Sequence, residues 1–345
     1  MNESRFPSLD GARAISIGLV IVAHLDLVRY VPGLWRLDTG NLGVRVFFVI
    51  SGFIITTLLL AELHRTGSVS LTGFYRRRVF RILPAYYTFL GIVMAFSAFR
   101  GGTATWTKAW PAAIFVADYV DVPLVVGHTW SLAVEEQFYL LWPGAMVLFG
   151  LRRSYIGCIA ILFLAPIFRI LADIGLWPTS PRYAFECVAD ALAVGCLLAI
   201  LRERLWENSV YRKFVSSPLS LLPLLTAILL IAVEQNKGLI YYSAGLSMLN
   251  LGIAIALDRY IRMPGSLIGR LLNLAPVIWL GFLSYSLYLW QQVFAWAPLP
   301  TLLKLLFILG CAAISYYVVE IPFQRLRRRI EVRSMEVDTK RTGTG

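Results

Sequence analysis

Arg13 and His24 lie eleven residues apart in LDGARAISIGLVIVAH, and His24 falls in the middle of the first predicted membrane span. Eleven steps along a helix make about three turns, so both side chains share one face about 16 Å apart. An ionisable residue inside a bilayer costs roughly 2.5–3.5 kcal/mol on insertion scales, which favours a functional role. The arginine suits an anionic ligand, and the imidazole suits proton transfer or nucleophilic attack. A histidine that only joins helices is the alternative.

A second basic group lies in FYRRRVFRILPAYY, at the cytoplasmic entry of the third span. Arg78 and Arg81 are three residues apart and therefore share a helical face. Paired guanidinium groups bind phosphate oxygens. These two arginines, with Arg77 beside them, predict a site for a phosphorylated cytoplasmic ligand. Positive charge that only anchors the topology is the alternative, and it suffices for Arg76.

Two carboxylates, Glu135 and Glu136, lie about one turn inside the apolar stretch HTWSLAVEEQFYLLWP. Consecutive helical residues point about 100° apart, so we expect only one of them to face a cavity shared with His24. Glu135 would then orient the imidazole and raise its basicity. A salt bridge to Arg169 or Lys304 is the alternative.

Other polar residues in apolar stretches give weaker signals. Ser51 and Gly52 interrupt GVRVFFVISGFIIT and would let a helix or a ligand approach the backbone. Gln291, in GFLSYSLYLWQQ, would line a polar cavity or hold helices together. His64 and His128 are interpreted as loop residues without a chemical role.

The hydrophobic composition of the chain indicates that these residues are held in place by membrane-spanning helices. The chain has 345 residues, of which 58% are hydrophobic and 15% are charged. This excludes a soluble enzyme and indicates a polytopic membrane protein. The sequence has no zinc-type ligand spacing, so we expect no metal, and it has no phosphate-binding glycine loop. The net charge of +12 suits contact with the anionic inner leaflet of the bilayer, and we expect no nucleic acid partner.

The apolar runs predict a single all-α bundle of about ten transmembrane helices. They cover residues 10–29, 43–61, 81–99, 131–150, 155–172, 184–201, 218–234, 240–257, 276–296 and 301–319. Most of the 32 Lys and Arg fall in the segments that are cytoplasmic when both termini are cytoplasmic. We expect a transmembrane domain over residues 1–325 and a basic, disordered cytoplasmic tail over residues 326–345.

Six stretches, taken in order, resemble the acyltransferase-3 family of bacterial integral membrane O-acyltransferases. They are LDGARAISIGLVIVAH, GVRVFFVISGFIIT, FYRRRVFRILPAYY, WSLAVEEQFYLLWP, LSYSLYLW and VVEIPF. The resemblance implies a bacterial cytoplasmic (inner) membrane enzyme. It would transfer an acyl group, usually acetyl, from cytoplasmic acetyl-CoA or another acyl-CoA to a hydroxyl of a glycan or lipid-linked sugar, such as a cell-surface polysaccharide or lipopolysaccharide.

The resemblance also implies roles for individual residues. His24, Glu135 and Arg13 match catalytic positions, with Arg78 and Arg81 at the donor. Ser51 and Asp10 are weaker candidates for substrate binding. Many family members have LWHWP where this chain has LWQQV, so Gln291 replaces a histidine and the acceptor stays open.

Two other functions stay open at this stage. The acceptor would be a small secondary metabolite such as a macrolide in one of them. In the other, the chain is a proton-coupled transporter in which His24 and Glu135 carry protons. Neither the oligomeric state nor a choice between direct transfer and an acyl-enzyme follows from the sequence.

Overall fold

The computed structural model describes residues 6–30, 37–101, 105–233 and 238–342, with side chains described as far as residue 331. All regular secondary structure in these residues is helical, which confirms the predicted all-α class. The α-helices are α1 (Leu9–His24), α2 (Thr39–Thr66), α3 (Leu71–Phe99), α4 (Trp106–Ala113), α5 (Thr129–Asp173), α6 (Phe185–Glu207), α7 (Ser209–Ser216), α8 (Leu222–Val233), α9 (Leu246–Arg262), α10 (Leu267–Leu272), α11 (Ala275–Ala295), α12 (Thr301–Ile314) and α13 (Ile321–Thr342).

Five helical segments of the described chain are long and apolar enough to cross a membrane, and a bent pair brings the number to six. The five are Thr39–Thr66, Leu71–Phe99, Thr129–Asp173, Tyr241–Arg262 and Thr301–Glu331. The bent pair joins Ser209–Ser216 to Pro218–Val233 at 83°. The chain is therefore a multi-pass membrane protein. The predicted count of about ten spans and the cytoplasmic termini stay predictions.

The first helix is shorter than predicted. α1 ends at His24, whereas the sequence predicts a span over residues 10–29. Asp26 has a φ of 52°, and a 3₁₀ turn over Leu27–Tyr30 follows. A non-glycine residue at positive φ interrupts the α-helical conformation. His24 consequently lies at the C-terminal end of its helix instead of the middle.

A short turn fixes where α3 begins. Gly67 ends α2 with a φ of 74°, a conformation that glycine adopts without strain. The Ser70 hydroxyl then caps α3 by accepting a hydrogen bond from the Gly73 N–H at 3.1 Å. Arg78 and Arg81 follow about two and three turns into this helix.

The fifth helix is interrupted at Gly150. Its φ of 73° and ψ of 167° are not helical, and glycine tolerates them because it has no Cβ. The break falls between the predicted spans 131–150 and 155–172. Thr129–Asp173 is therefore two helices that meet at a kink, and each corresponds to one of the two predicted segments.

α4 and a 3₁₀ turn at Leu124–Val126 occupy part of the segment between α3 and α5. Gln137 of α5 ties the loop to the bundle by donating a hydrogen bond to Asp118 Oδ1 at 2.9 Å. Burial raises the pKa of Asp118 to about 6.

Two glycines bring α2 and α6 into backbone contact. A methyl group at Gly52 would overlap the carbonyl of Leu192, and one at Gly195 would overlap the carbonyl of Val49. Small residues allow such close approach between membrane helices. Gly52 therefore serves packing, and its neighbour Ser51 is turned toward α5.

A buried ionic network links α2, α5, α6 and α9. Asp190 Oδ2 lies 2.9 Å from Arg169 Nη1, and Asp190 Oδ1 lies 3.6 Å from Arg45 Nη1. Arg45 also donates to Asn250 at 3.1 Å. The partner of Arg169 is thus Asp190, so the alternative of a salt bridge from Glu135 to Arg169 is wrong.

The tail continues the last helix. α13 runs to Thr342, so the segment that the sequence suggests is disordered is helical over most of its length. The division expected at residue 325 falls inside this helix, and it stays a prediction.

Candidate active site

One group of charged side chains collects near the start of α1. Arg13 of α1, Arg78 and Arg81 of α3 and Glu135 of α5 act on one another electrostatically. We call these four residues the arginine cluster. Glu136 also acts on Arg78, so both glutamates lie near the arginines. The expectation that only one of them faces a cavity shared with His24 stays a prediction.

Ser51 joins this cluster through hydrogen bonds. Its hydroxyl donates to Glu135 Oε1 at 2.7 Å and accepts from the Tyr139 hydroxyl at 3.0 Å. The Arg78 guanidinium lies over the Tyr139 ring, 4.7 Å from its centre. Such a cation–π contact orients the arginine without neutralising its charge. Sequence analysis missed Tyr139, although it lies one helical turn after Glu135.

The arginines of α3 differ in their partners. Among the described residues, Arg78 and Arg81 form no salt bridge. Arg77, in contrast, pairs with Glu62 at 3.1 Å. Adjacent helical residues point about 100° apart, which directs Arg77 away from its neighbour. The structure therefore does not bring Arg77 into the cluster.

Asp10 and Glu320 lie at the edge of the arginine cluster. Asp10 Oδ1 is 3.7 Å from Arg13 Nη1. Glu320 acts on Arg81 electrostatically and accepts a hydrogen bond from the Ser286 hydroxyl at 2.5 Å. The structure thus places Asp10, a predicted substrate-binding residue, next to the predicted site as a partner of Arg13.

The orientation of His24 comes from its own helix. Its Nδ1 lies 3.0 Å from the Val20 carbonyl oxygen. A carbonyl only accepts hydrogen bonds, so Nδ1 carries the proton and Nε2 presents its lone pair. Glu135 hydrogen-bonds to Ser51 near Arg13, about three turns along α1 from His24, so the structure does not show the predicted contact between Glu135 and the imidazole.

His128 lies in the loop before α5, as predicted, but the sequence did not indicate that this residue is buried. It precedes α5 directly, is only 3% exposed and lies within electrostatic reach of His24. The rings of Phe89 and Tyr288 contact it edge-on, with centroids 5.7 and 5.3 Å away. Its place in a predicted loop concealed this, because the sequence does not show that the loop folds inward.

Gln291 lies one turn after Tyr288 on α11 and is 1% exposed. Its amide nitrogen and oxygen have no hydrogen-bond partner within the described residues. We call His24 and His128, together with Gln291 on the helix that contacts His128, the histidine cluster. The predicted site residues other than Arg77 thus lie in or beside two clusters, which are about 16 Å apart along α1.

A family model described as an acyltransferase domain matches residues 6–319. The chain belongs to the acyltransferase-3 family. This confirms the resemblance that the six motifs indicated. No solved structure matches the chain significantly.

Two curated relatives of this acyltransferase-3 member carry more specific names. It is 28% identical to "O-acetyltransferase OatA" of Staphylococcus aureus, in an alignment that covers 98% of this chain and 57% of the relative. It is 29% identical over 322 residues to "Peptidoglycan O-acetyltransferase OatA" of Listeria monocytogenes, covering 86% of this chain and 50% of the relative. The chain spans about half the length of these relatives.

Proposed function

We propose that this protein is a membrane O-acyltransferase. It would move an acyl group, most simply acetyl, from cytoplasmic acyl-CoA to a hydroxyl of a cell-envelope glycan. Membership of the acyltransferase-3 family supports the reaction class. The observation that carries the proposal is the pair Arg78 and Arg81, which form no salt bridge among the described residues. They lie near Arg13, about three turns along α1 from His24, whose Nε2 is free.

The donor is proposed to bind at the arginine cluster. Phosphate groups are the ligands that two guanidinium groups on one helical face bind best, because each offers a fixed fork of donors. Arg78 is half-buried and Arg81 is exposed, so both have surface available to a ligand. Arg13 adds a third cation on the neighbouring helix. The polyanionic end of acyl-CoA fits these three residues.

His24 is proposed to carry the chemistry. In direct transfer, Nε2 takes the proton of the acceptor hydroxyl while the hydroxyl oxygen attacks the thioester carbonyl. The new C–O bond forms, the C–S bond breaks, and the proton passes to the departing thiolate of CoA. In a relay, Nε2 attacks the thioester carbonyl, the C–S bond breaks and the CoA thiolate leaves. The acceptor hydroxyl then attacks the acyl-imidazole, the C–N bond breaks, and the hydroxyl proton passes to the thiolate. Both routes need the unprotonated Nε2 that the Val20 hydrogen bond favours.

The acceptor is proposed to be an envelope glycan that enters from the opposite end of α1. The name of the Listeria relative specifies peptidoglycan, which makes its glycan strands the first acceptor to test. This acceptor replaces lipopolysaccharide as our preferred expectation. The corresponding location is the cytoplasmic membrane of a bacterium, with the donor and the acceptor on opposite sides.

The test is release of free CoA by the purified protein supplied with acetyl-CoA and soluble peptidoglycan glycan fragments. We expect His24→Ala to abolish release and Arg78→Ala to raise the KM for acetyl-CoA at least tenfold. Arg77→Ala is the matched control, because Arg77 pairs with Glu62 outside the cluster, and it should behave like the wild type.

The outcomes separate enzyme from transporter. If none of the four proteins releases CoA with any acyl donor or glycan, the enzymatic proposal fails. Proton uptake measured in proteoliposomes would then test the transport alternative. Equal KM increases in Arg77→Ala and Arg78→Ala would instead contradict the assignment of the donor to one face of α3.

A further inference from the structure

The surroundings of His128 suggest a role in binding. Its side chain is 97% buried, since only 3% of it is exposed, and neither ring nitrogen forms a hydrogen bond within the described residues. The Leu289 carbonyl and the Gln292 side chain lie close to the imidazole ring, but neither has the geometry of a hydrogen bond to a ring nitrogen. Burying polar atoms without partners costs folding free energy. Such atoms commonly bind a ligand or water.

The backbone around His128 is held firmly even though its ring is not hydrogen-bonded. Its N–H donates to Gln292 Oε1 at 3.0 Å, and its carbonyl accepts from the Tyr288 hydroxyl at 2.9 Å. The Gln292 amide in turn donates to the Leu124 carbonyl. These contacts and the flanking rings of Phe89 and Tyr288 fix the imidazole in place. The ring is therefore preorganised to bind.

Two residues of α11, the helix that contacts His128, share this lack of partners. Gln291 has both amide atoms unpaired, and the Trp290 indole N–H is also unpaired, in the described part of the chain. Trp290 and His128 pack against the same ring, that of Phe89. A neutral imidazole offers one donor and one acceptor, an amide offers both, and an indole offers one donor. Adjacent hydroxyls of a sugar complement this set, whereas a lone hydroxyl on an apolar molecule does not.

We propose that His128, with Gln291 and the indole of Trp290, binds the hydroxyls of a pyranose acceptor beside the reactive Nε2 of His24. This inference rests on the proposed function and specifies the acceptor as a polyhydroxylated sugar. His128 contacts hydroxyls that do not react, while the reacting hydroxyl faces His24. The phosphate end of the donor, held at the arginine cluster about 16 Å away along α1, does not contact His128.

The decisive variant is His128→Phe, which keeps a ring of similar shape and removes both nitrogens. Because it also removes buried unpaired polar atoms, we expect its melting temperature in detergent to equal or exceed that of the wild type. Its KM for a peptidoglycan-derived saccharide should rise at least tenfold, with the KM for acetyl-CoA unchanged. His128→Gln should recover part of the loss. His64→Phe, at an exposed histidine, is the matched control.

A second measurement does not depend on turnover. A β-1,4-linked N-acetylglucosamine tetrasaccharide should raise the melting temperature of the wild type and of His64→Phe, but not of His128→Phe. If the wild type transfers acetyl groups and His128→Phe matches it in saccharide KM and thermal shift, the role of His128 is disproved while the proposed function stands. If saccharide binding depends on His128 but no protein releases CoA, only the proposed function fails. An absence of both transfer and saccharide binding in the wild type would overturn both.

Discussion

At the scale of single residues, Glu135 shows how position along a helix decides a role. Its carboxylate lies among three guanidinium groups and bonds to Ser51. Its charge therefore acts on the end of the site where we place the phosphates of the donor. It partly offsets the positive potential that these phosphates would meet.

Glu135→Gln keeps an acceptor oxygen for the Ser51 hydroxyl and removes a negative charge. We expect the KM for acetyl-CoA to fall severalfold, and to fall less at high salt, because the arginines then attract phosphate more strongly. The KM for the saccharide should not change. Steady-state kinetics at two salt concentrations test this. A collapse of kcat as large as that in His24→Ala, at unchanged KM, would show instead that Glu135 acts on the imidazole.

The residue scale also shows what spacing predicts. The shared face of Arg78 and Arg81 and the distance from Arg13 to His24 follow from helical geometry alone. The contact of Glu135 with Ser51 joins residues 84 positions apart, and no local pattern encodes it. His128 was missed for a related reason: its burial depends on how the loop before α5 packs against α3 and α11.

At the scale of elements, the contact of α2 with α6 sets the position of Ser51. Their backbones meet at Gly52 and Gly195, so the register of the two helices depends on the absence of side chains there. The pair Ser51–Gly52 was read from the sequence as either packing or a binding site. In the structure the two residues have different roles: Gly52 packs against α6, and Ser51 hydrogen-bonds to Glu135 of the arginine cluster. Helical periodicity in the sequence predicted most of the helices. It did not predict that α1 ends at His24, because that end depends on a positive φ at Asp26.

Gly195→Ala tests this contact. The added methyl would overlap the Val49 carbonyl, so α6 must move away from α2. We expect a loss of about 1–3 kcal/mol, as for overpacking in a protein core, together with reduced activity from displaced Ser51. Thermal unfolding in detergent measures the loss. Gly91→Ala on α3, where nothing lies within 4 Å of the new methyl, is the control and should be neutral or stabilising. Equal stability of the two variants would rule out a constraint at this crossing.

At the scale of the whole molecule, the ionic network around Asp190 holds four helices together. Arg45 and Arg169 reach the same carboxylate from α2 and α5, and both are at most 1% exposed. Removing one partner of a buried ion pair leaves an uncompensated charge, which destabilises the fold more than replacing both partners by apolar residues. The network therefore contributes to a fixed arrangement of α2, α5, α6 and α9, and α2 and α5 carry the hydrogen-bonded pair Ser51 and Glu135.

Asp190→Asn removes the shared charge and keeps the side-chain volume. We expect it to destabilise the folded protein by about 3–5 kcal/mol, the range for a broken buried ion pair. The melting temperature and the yield of monodisperse protein in detergent are the measurements. Glu186→Gln, one turn earlier on α6, is the control because that carboxylate binds the hydroxyl and indole groups of Tyr119 and Trp177 near the surface. If Asp190→Asn lost no more stability than this control, the network would have no structural role.

The spacing between the two clusters has a consequence for inhibition. Given the proposed roles, one molecule with a diphosphate at one end and a saccharide at the other would occupy both ends of α1 at once. After the first end binds, the second is presented at a high effective concentration, so affinity rises without any new contact. The linker must bridge about 16 Å, the separation set by eleven helical residues. A shorter linker cannot engage both ends, and a much longer one forfeits most of the gain.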